Sequence, residues 1–140
     1  MQNRLLMWMM IMLLVFGSFR LFPIKKDIQF KTDFIKIDSD YQKLIAQAAD
    51  EKAFSQTLKK RDSAYRQLLK KNEDLKGSDS ILLIRARIYI HLKSFREAAA
   101  IIDGIIEKKN KWQPDAMLTK VQLMIAQSKY PQALALFKKI

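Results

Sequence analysis

The second half of the chain repeats itself, and this limits its fold more than any other feature. Moving Ser80–Ile105 forward by 35 positions places it on Asp115–Ile140. Leu83 then falls on Leu118, Ile88 on Leu123, Ile90 on Ile125 and Phe95 on Tyr130. Ala98 falls on Ala133, Ala100 on Ala135, Ile102 on Phe137 and Ile105 on Ile140. A period of roughly 20–50 residues marks a supersecondary unit stacked on others of its kind, because one unit cannot bury its own apolar side. Here the unit reads as an apolar helix, a short break and an alanine-containing helix. The 140 residues include only three glycines and three prolines, and long stretches have helical apolar spacing. An all-α fold is therefore predicted over any sheet.

Within the unit, Ala86 and Tyr89 stand three apart in the first helix, matched less closely by Val121 and Met124 in the second copy. In the second helix an aromatic, a small residue and a bulky one follow: Phe95, Ala98 and Ile102, then Tyr130, Ala133 and Phe137. This pattern resembles the tetratricopeptide repeat (TPR) family. A small residue lets two helices approach closely, and bulky ones fill the space between them. The resemblance implies TPR-like antiparallel helix hairpins, a fragment of an α-solenoid, with the clearest repeats at 80–114 and 115–140. It also implies a concave groove lined by the first helix of each pair. By position, the partner-binding residues would be Leu83, Arg87 and Ile90, then Leu118, Gln122 and Ile125. Arg87 would suit an acidic side chain or a C-terminal carboxylate. In the competing reading Arg87 is a solvated charge and the chain's own N-terminal helix fills the groove. There are departures from the family. Arg85 and Lys120 stand where leucine is usual, the helix-ending proline is displaced to Pro114, where it opens the next helix, and the Lys and Asn positions of a two-carboxylate clamp are not matched.

The N-terminus carries a different signal. Leu5–Phe16 is an unbroken apolar run, and no charge follows until Arg20. As a signal peptide, Arg4 is the positive lead and Val15 and Gly17 offer a cleavage site, crowded by Phe16 and Phe19. As a signal anchor, Leu5–Phe22 would span about 27 Å at about 1.5 Å per residue, close to the hydrocarbon thickness, with Arg20 reaching the headgroups. A retained transmembrane anchor over residues 1–22 is expected, with a cleaved signal as the alternative. Arg20, Lys25 and Lys26 outnumber Arg4, which by the positive-inside rule keeps the body in the cytoplasm. Export-type signals more commonly carry the body across. The expected location is the bacterial inner membrane with the helical body in the periplasm; a cytoplasmic body or a secreted protein are the alternatives.

Residues 23–39 read as a linker. Pro23 ends the apolar segment, and Ile28, Phe30, Ile35 and Ile37 alternate imperfectly, as in an extended stretch laid on the helical domain or donated to a partner's sheet. Asp38-Ser39-Asp40 resembles a helix start, placing the helical domain at 40–140. Two apolar faces follow, out of phase near Asp50-Glu51. Either one long helix changes face there or two helices meet. Asp62-Ser63 is a further start signal. Ala64 and Leu68 lie 34 residues before Ala98 and Ile102, which permits a degenerate first repeat. Gly77 is expected to end a helix, and Ser78, Asp79 or Ser80 to cap the next.

The chain holds one histidine, His91, and no cysteine. Disulfides and thiolate zinc sites are thereby excluded. No nucleophile–base spacing, metal-ligand cluster or glycine-rich phosphate loop is apparent, so no enzyme activity and no cofactor are expected. The net charge of +12 is spread: residues 20–76 carry 14 basic and 9 acidic side chains, and residues 77–140 carry 11 and 5. This fits a solvated lysine-rich surface, anionic lipid near the anchor, or an acidic protein partner. Nucleic acid ranks last, since the aromatics sit at core-type positions. The expected function is a membrane-tethered, noncatalytic scaffold or adaptor binding a protein partner near the bilayer. The alternatives are a secreted or periplasmic structural subunit and an N-terminal fragment of a larger enzyme or transport-associated protein. Ala133, Leu134, Leu136, Phe137 and Ile140 form an apolar face with no later helix to cover it, and another copy of the chain, a partner subunit or further residues of the chain itself is expected to cover that end.

Overall fold

The computed structural model describes residues 25–140. Every regular element among them is an α-helix: α1 over 25–46, α2 Glu51–Lys71, α3 Asp79–His91, α4 Phe95–Glu107, α5 Gln113–Ala126 and α6 Tyr130–Phe137. The segment Leu5–Phe22, on which the anchor and signal readings rest, lies outside the described residues. Among those described, no helix is long and apolar enough to cross a membrane.

The expected linker is the main correction. From residue 25 it is helix, and the helical body begins there rather than at residue 40. The apolar residues that matter are Phe30, Phe34 and Ile37, spaced four and three apart as one helical stripe. Phe30 is fully buried, and Phe34 and Ile37 pack against the same cluster. Ile28 and Ile35, which gave the appearance of alternation, face solvent. Asp38-Ser39-Asp40 lies inside α1, so it starts nothing. The phase shift near residue 50 is a true break between two helices. Asp50 caps α2, its Oδ1 accepting the Ala53 N–H at 2.7 Å. Asp62-Ser63 lies within α2, where Asp62 pairs with Arg61 at 3.1 Å.

The helix α2 ends at Lys71, six residues before Gly77. Gly77 instead turns the loop into α3 at φ +52°, with Ser78 at the N-cap position. A Cβ on Gly77 would lie 2.7 Å from Ile81 Cγ2, so both the backbone angle and the close approach call for glycine.

The 35-residue period is visible in the backbone itself. Lys93 and Ser128, 35 apart, each adopt φ 60° just after a helix. In the first turn Lys93 N–H donates to Ile90 O and Ser94 N–H to Tyr89 O. In the second, Ser128 N–H donates to Ile125 O and Lys129 N–H to Met124 O. Both are Schellman-type helix ends. Three-residue turns of this kind return the chain antiparallel, making hairpins α3–α4 and α5–α6. Pro114 lies in the first turn of α5, as expected. Helix α3 packs on α4, α4 on α5, α5 on α6, and α3 also meets α5.

Three clusters of buried residues hold the stack. Phe30 of α1, Tyr65 and Leu68 of α2, Leu75 from the loop, and Ile81, Ile84 and Ile88 of α3 form the first. Ala86, Ala98, Ile102 and Leu123 form the second, between α3, α4 and α5. Leu83, Ile105 and Ala116 form the third. Ala98 is fully buried and Ala133 nearly so, as close helix contacts require. The α1–α2 hairpin precedes the repeats, but within α2 it is Tyr65, not Ala64, that is fully buried. The charged residues Arg85 and Lys120 both find partners. Arg85 donates to the C-cap carbonyl of Asn72 and lies over the Phe30 ring, while Lys120 meets Asp103 at 2.8 Å.

Candidate partner-binding groove

The six groove positions divide into three sets. Arg87 and Ile90 of α3 and Gln122 of α5 share a cavity of about 450 Å³ with His91. Its opposite wall is α1, through Phe34, Asp38 and Gln42. Leu83 and Arg87 border a second cavity of about 260 Å³ with Lys31, Ser80, Ile84, Trp112 and Asp115. Leu83 itself is buried against Ile105 and Ala116, so it serves the core more than the surface. Leu118 and Ile125 are solvent-exposed and border neither cavity. The structure therefore brings α1 alongside α3 and α5, and Arg87 stands between two cavities on that seam.

The α1 wall is fixed by a polar link. Tyr65 Oη, from α2, donates to Asp38 Oδ1 at 2.9 Å, and Gln42 Nε2 donates to Asp38 Oδ2 at 2.9 Å. The Tyr65 ring lies between Phe34 of α1 and His91 of α3, at 6.0 and 5.5 Å between centroids. Arg61 lies over the same ring at 5.8 Å. Burial, and then the bond to the Asp38 carboxylate, push the Tyr65 phenol well above its ordinary pKa. His91 is exposed as a residue, with its ring stacked on that of Tyr65. Burial first, then the Arg61 charge, lower its pKa below the usual imidazole value.

Chemically, the larger cavity offers one guanidinium, two amides, an imidazole and a carboxylate already holding two donors, above apolar Phe34 and Ile90. Arg87 Nε is buried without a hydrogen-bond partner among the described residues. Such a mixture suits the carbonyls, amides and carboxylates of a peptide. Among the described residues no three His, Asp or Glu side chains converge as metal ligands. Phe34, Asp38 and Gln42 were missed as groove residues. Their spacing of four is the signal that would have found them, since it sets all three on one face of a helix.

Comparison with models of protein families, with curated proteins and with solved structures finds no match in any of the three.

Proposed function

We propose that this chain is a noncatalytic, TPR-like helical scaffold, tethered to the membrane by its N-terminal apolar segment, that binds a protein partner in the groove between α1, α3 and α5. The observation that supports this reading is the cavity around Arg87. It joins a guanidinium with a buried, unpartnered Nε to two amide side chains over an apolar floor. A segment with a carboxylate for Arg87 and backbone groups for Gln42 and Gln122 fits that chemistry. The chain's own α1 serves as one wall, so the partner would fill the space left beside it.

The test is recovery of the partner from membranes with the intact protein, wild type against Arg87→Gln and Gln122→Lys. A partner retained by wild type and lost from both variants, with the helical melt unchanged, is the expected result. Equal recovery from all three would remove the groove from the proposal. Carbonate extraction tests the tether: release of the full chain by carbonate alone would rule it out.

A further inference from the structure

On α1 the charges are sorted by side. Phe30, Phe34 and Ile37 turn into the core. At about 3.6 residues per turn, the opposite side of the helix carries Lys25, Ile28, Thr32, Ile35, Lys36 and Lys43, with only small residues between them. All of these are exposed, Ile28 by 60% and Ile35 by 54%. The aspartates of α1 stand off this stripe. Asp38 holds Tyr65 and Gln42, while Asp33 meets Lys71 at 3.7 Å and accepts from Gln29 at 2.7 Å. Asp27 and Asp40 lie on the flanks of the helix. Over its whole length α1 has five lysines against four aspartates, so a net charge of +1 conceals a stripe carrying three lysines and no acid.

Those three lysines join no ion pair among the described residues. No Asp or Glu precedes Asp27 in the sequence, so residues 1–24 hold no counter-charge for them. A second copy offering the same side would set lysine against lysine. A surface of anionic headgroups complements the stripe along its length of about 27 Å: lysines reach phosphates, and the two isoleucines enter the interface. Position favours the same occupant. Phe22, the last residue of the apolar segment, stands three residues before Lys25, a reach of at most about 11 Å.

We propose that α1 lies along the bilayer on this stripe, bound to anionic lipid headgroups. The tether proposed above brings α1 to the surface, and the placement rests on it; the sorting of charge decides which side faces the lipid. Two isoleucines are a small apolar contribution, so charge carries the contact and salt should weaken it.

The chain has no cysteine, so Thr32→Cys sets a single fluorophore in the middle of the stripe, and Gln132→Cys on α6 is the reference. Full-length protein is reconstituted into phosphatidylcholine vesicles with or without phosphatidylglycerol, each holding a trace of lipid spin-labelled at the headgroup. Quenching at residue 32 should be strong in anionic vesicles, weak in neutral ones and lost in high salt, and residue 132 should show none of this. Each lysine near an anionic surface contributes about fivefold to binding. Lys25→Gln/Lys36→Gln/Lys43→Gln should therefore weaken the contact by about a hundredfold and free the label, with the helical melt unchanged because all three side chains are exposed. Quenching that ignores lipid charge, persists in the triple variant or appears equally at residue 132 would overturn the proposal. So would energy transfer between labels at residue 32 of two chains, since the side would then belong to a second copy. Carbonate extraction of the same samples reads the tether separately. A chain kept through carbonate but unquenched at residue 32 refutes the docking of α1 alone. A chain released by carbonate refutes the tether, and its sedimentation with anionic vesicles then decides the docking: loss in the triple variant supports it, and absent or variant-independent sedimentation overturns it.

Discussion

Removing the Tyr65 hydroxyl should loosen α1 from the rest of the stack. Tyr65 is fully buried, and its one hydrogen bond crosses from α2 to Asp38 on α1 at 2.9 Å. Hydrogen bonds to a charged group contribute about 1.5–3 kcal/mol. Asp38 is half-buried and still receives Gln42, so after Tyr65→Phe its freed oxygen is rehydrated. The cost belongs at the low end, about 1.5 kcal/mol, or about 6 °C in melting temperature at about 4 °C per kcal/mol. Asp38→Ala strands the phenol in the core without an acceptor and should cost more, about 2–3 kcal/mol. The double variant Tyr65→Phe/Asp38→Ala has no stranded donor, so its loss should fall short of the sum of the singles by about 1.5 kcal/mol. Urea melts of the four proteins, followed by circular dichroism, give the cycle. Additive losses, or a Tyr65→Phe effect within about 0.3 kcal/mol of zero, would show that this bond does not hold α1 in place.

Ala98→Leu should overpack the α3–α4 contact and cost about 1–3 kcal/mol; Lys129→Ala is the exposed control, and equal melts would show that the small position is wrongly assigned. Gly77→Ala should destabilise by more than about 1 kcal/mol, combining a left-handed backbone with the clash against Ile81, and a neutral thermal melt would contradict this. His91 has a depressed pKa in the folded state, so the unfolded chain takes up its proton more readily. Its stabilising contribution is fully present above the unfolded value of about 6.5 and is lost as pH falls through that value towards the folded one. Denaturant midpoints should therefore drop between about pH 7.5 and about pH 5; His91→Gln should flatten that dependence, and identical slopes would remove His91 as its source.

The all-α fold and the positions of α3 to α6 were legible because the 35-residue period repeats every restraint at once: the turn at Lys93 and Ser128, the small residues Ala98 and Ala133, and the apolar faces. The first hairpin was not legible in the same way. In α1 the exposed Ile28 and Ile35 are as apolar as the buried Phe30 and half-buried Phe34, and an eye trained on hydrophobicity alone takes them for alternation. Asp38 looked like a cap because Asp often is one, but its carboxylate is engaged by Tyr65, 27 residues away in sequence. Bonds of that reach are set by how helices dock, and no local pattern records them. The groove suffered for the same reason. Arg87, Ile90 and Gln122, read from position in the repeat, line one cavity, while its opposite wall depends on where α1 comes to rest. Leu83 was placed in the groove by analogy, but burial against Ala116 gives it to the core.

Helix α5 has two neighbourhoods, and this has an energetic consequence. One side closes the core between α3 and α4, and Gln122 on the same helix borders the Arg87 cavity. In a linear stack, a unit with neighbours on both sides resists local opening more than a unit at an end. Amide exchange should thus be slowest in α3 and α4 and fastest in α6, whose eight residues expose Leu134 and Phe137.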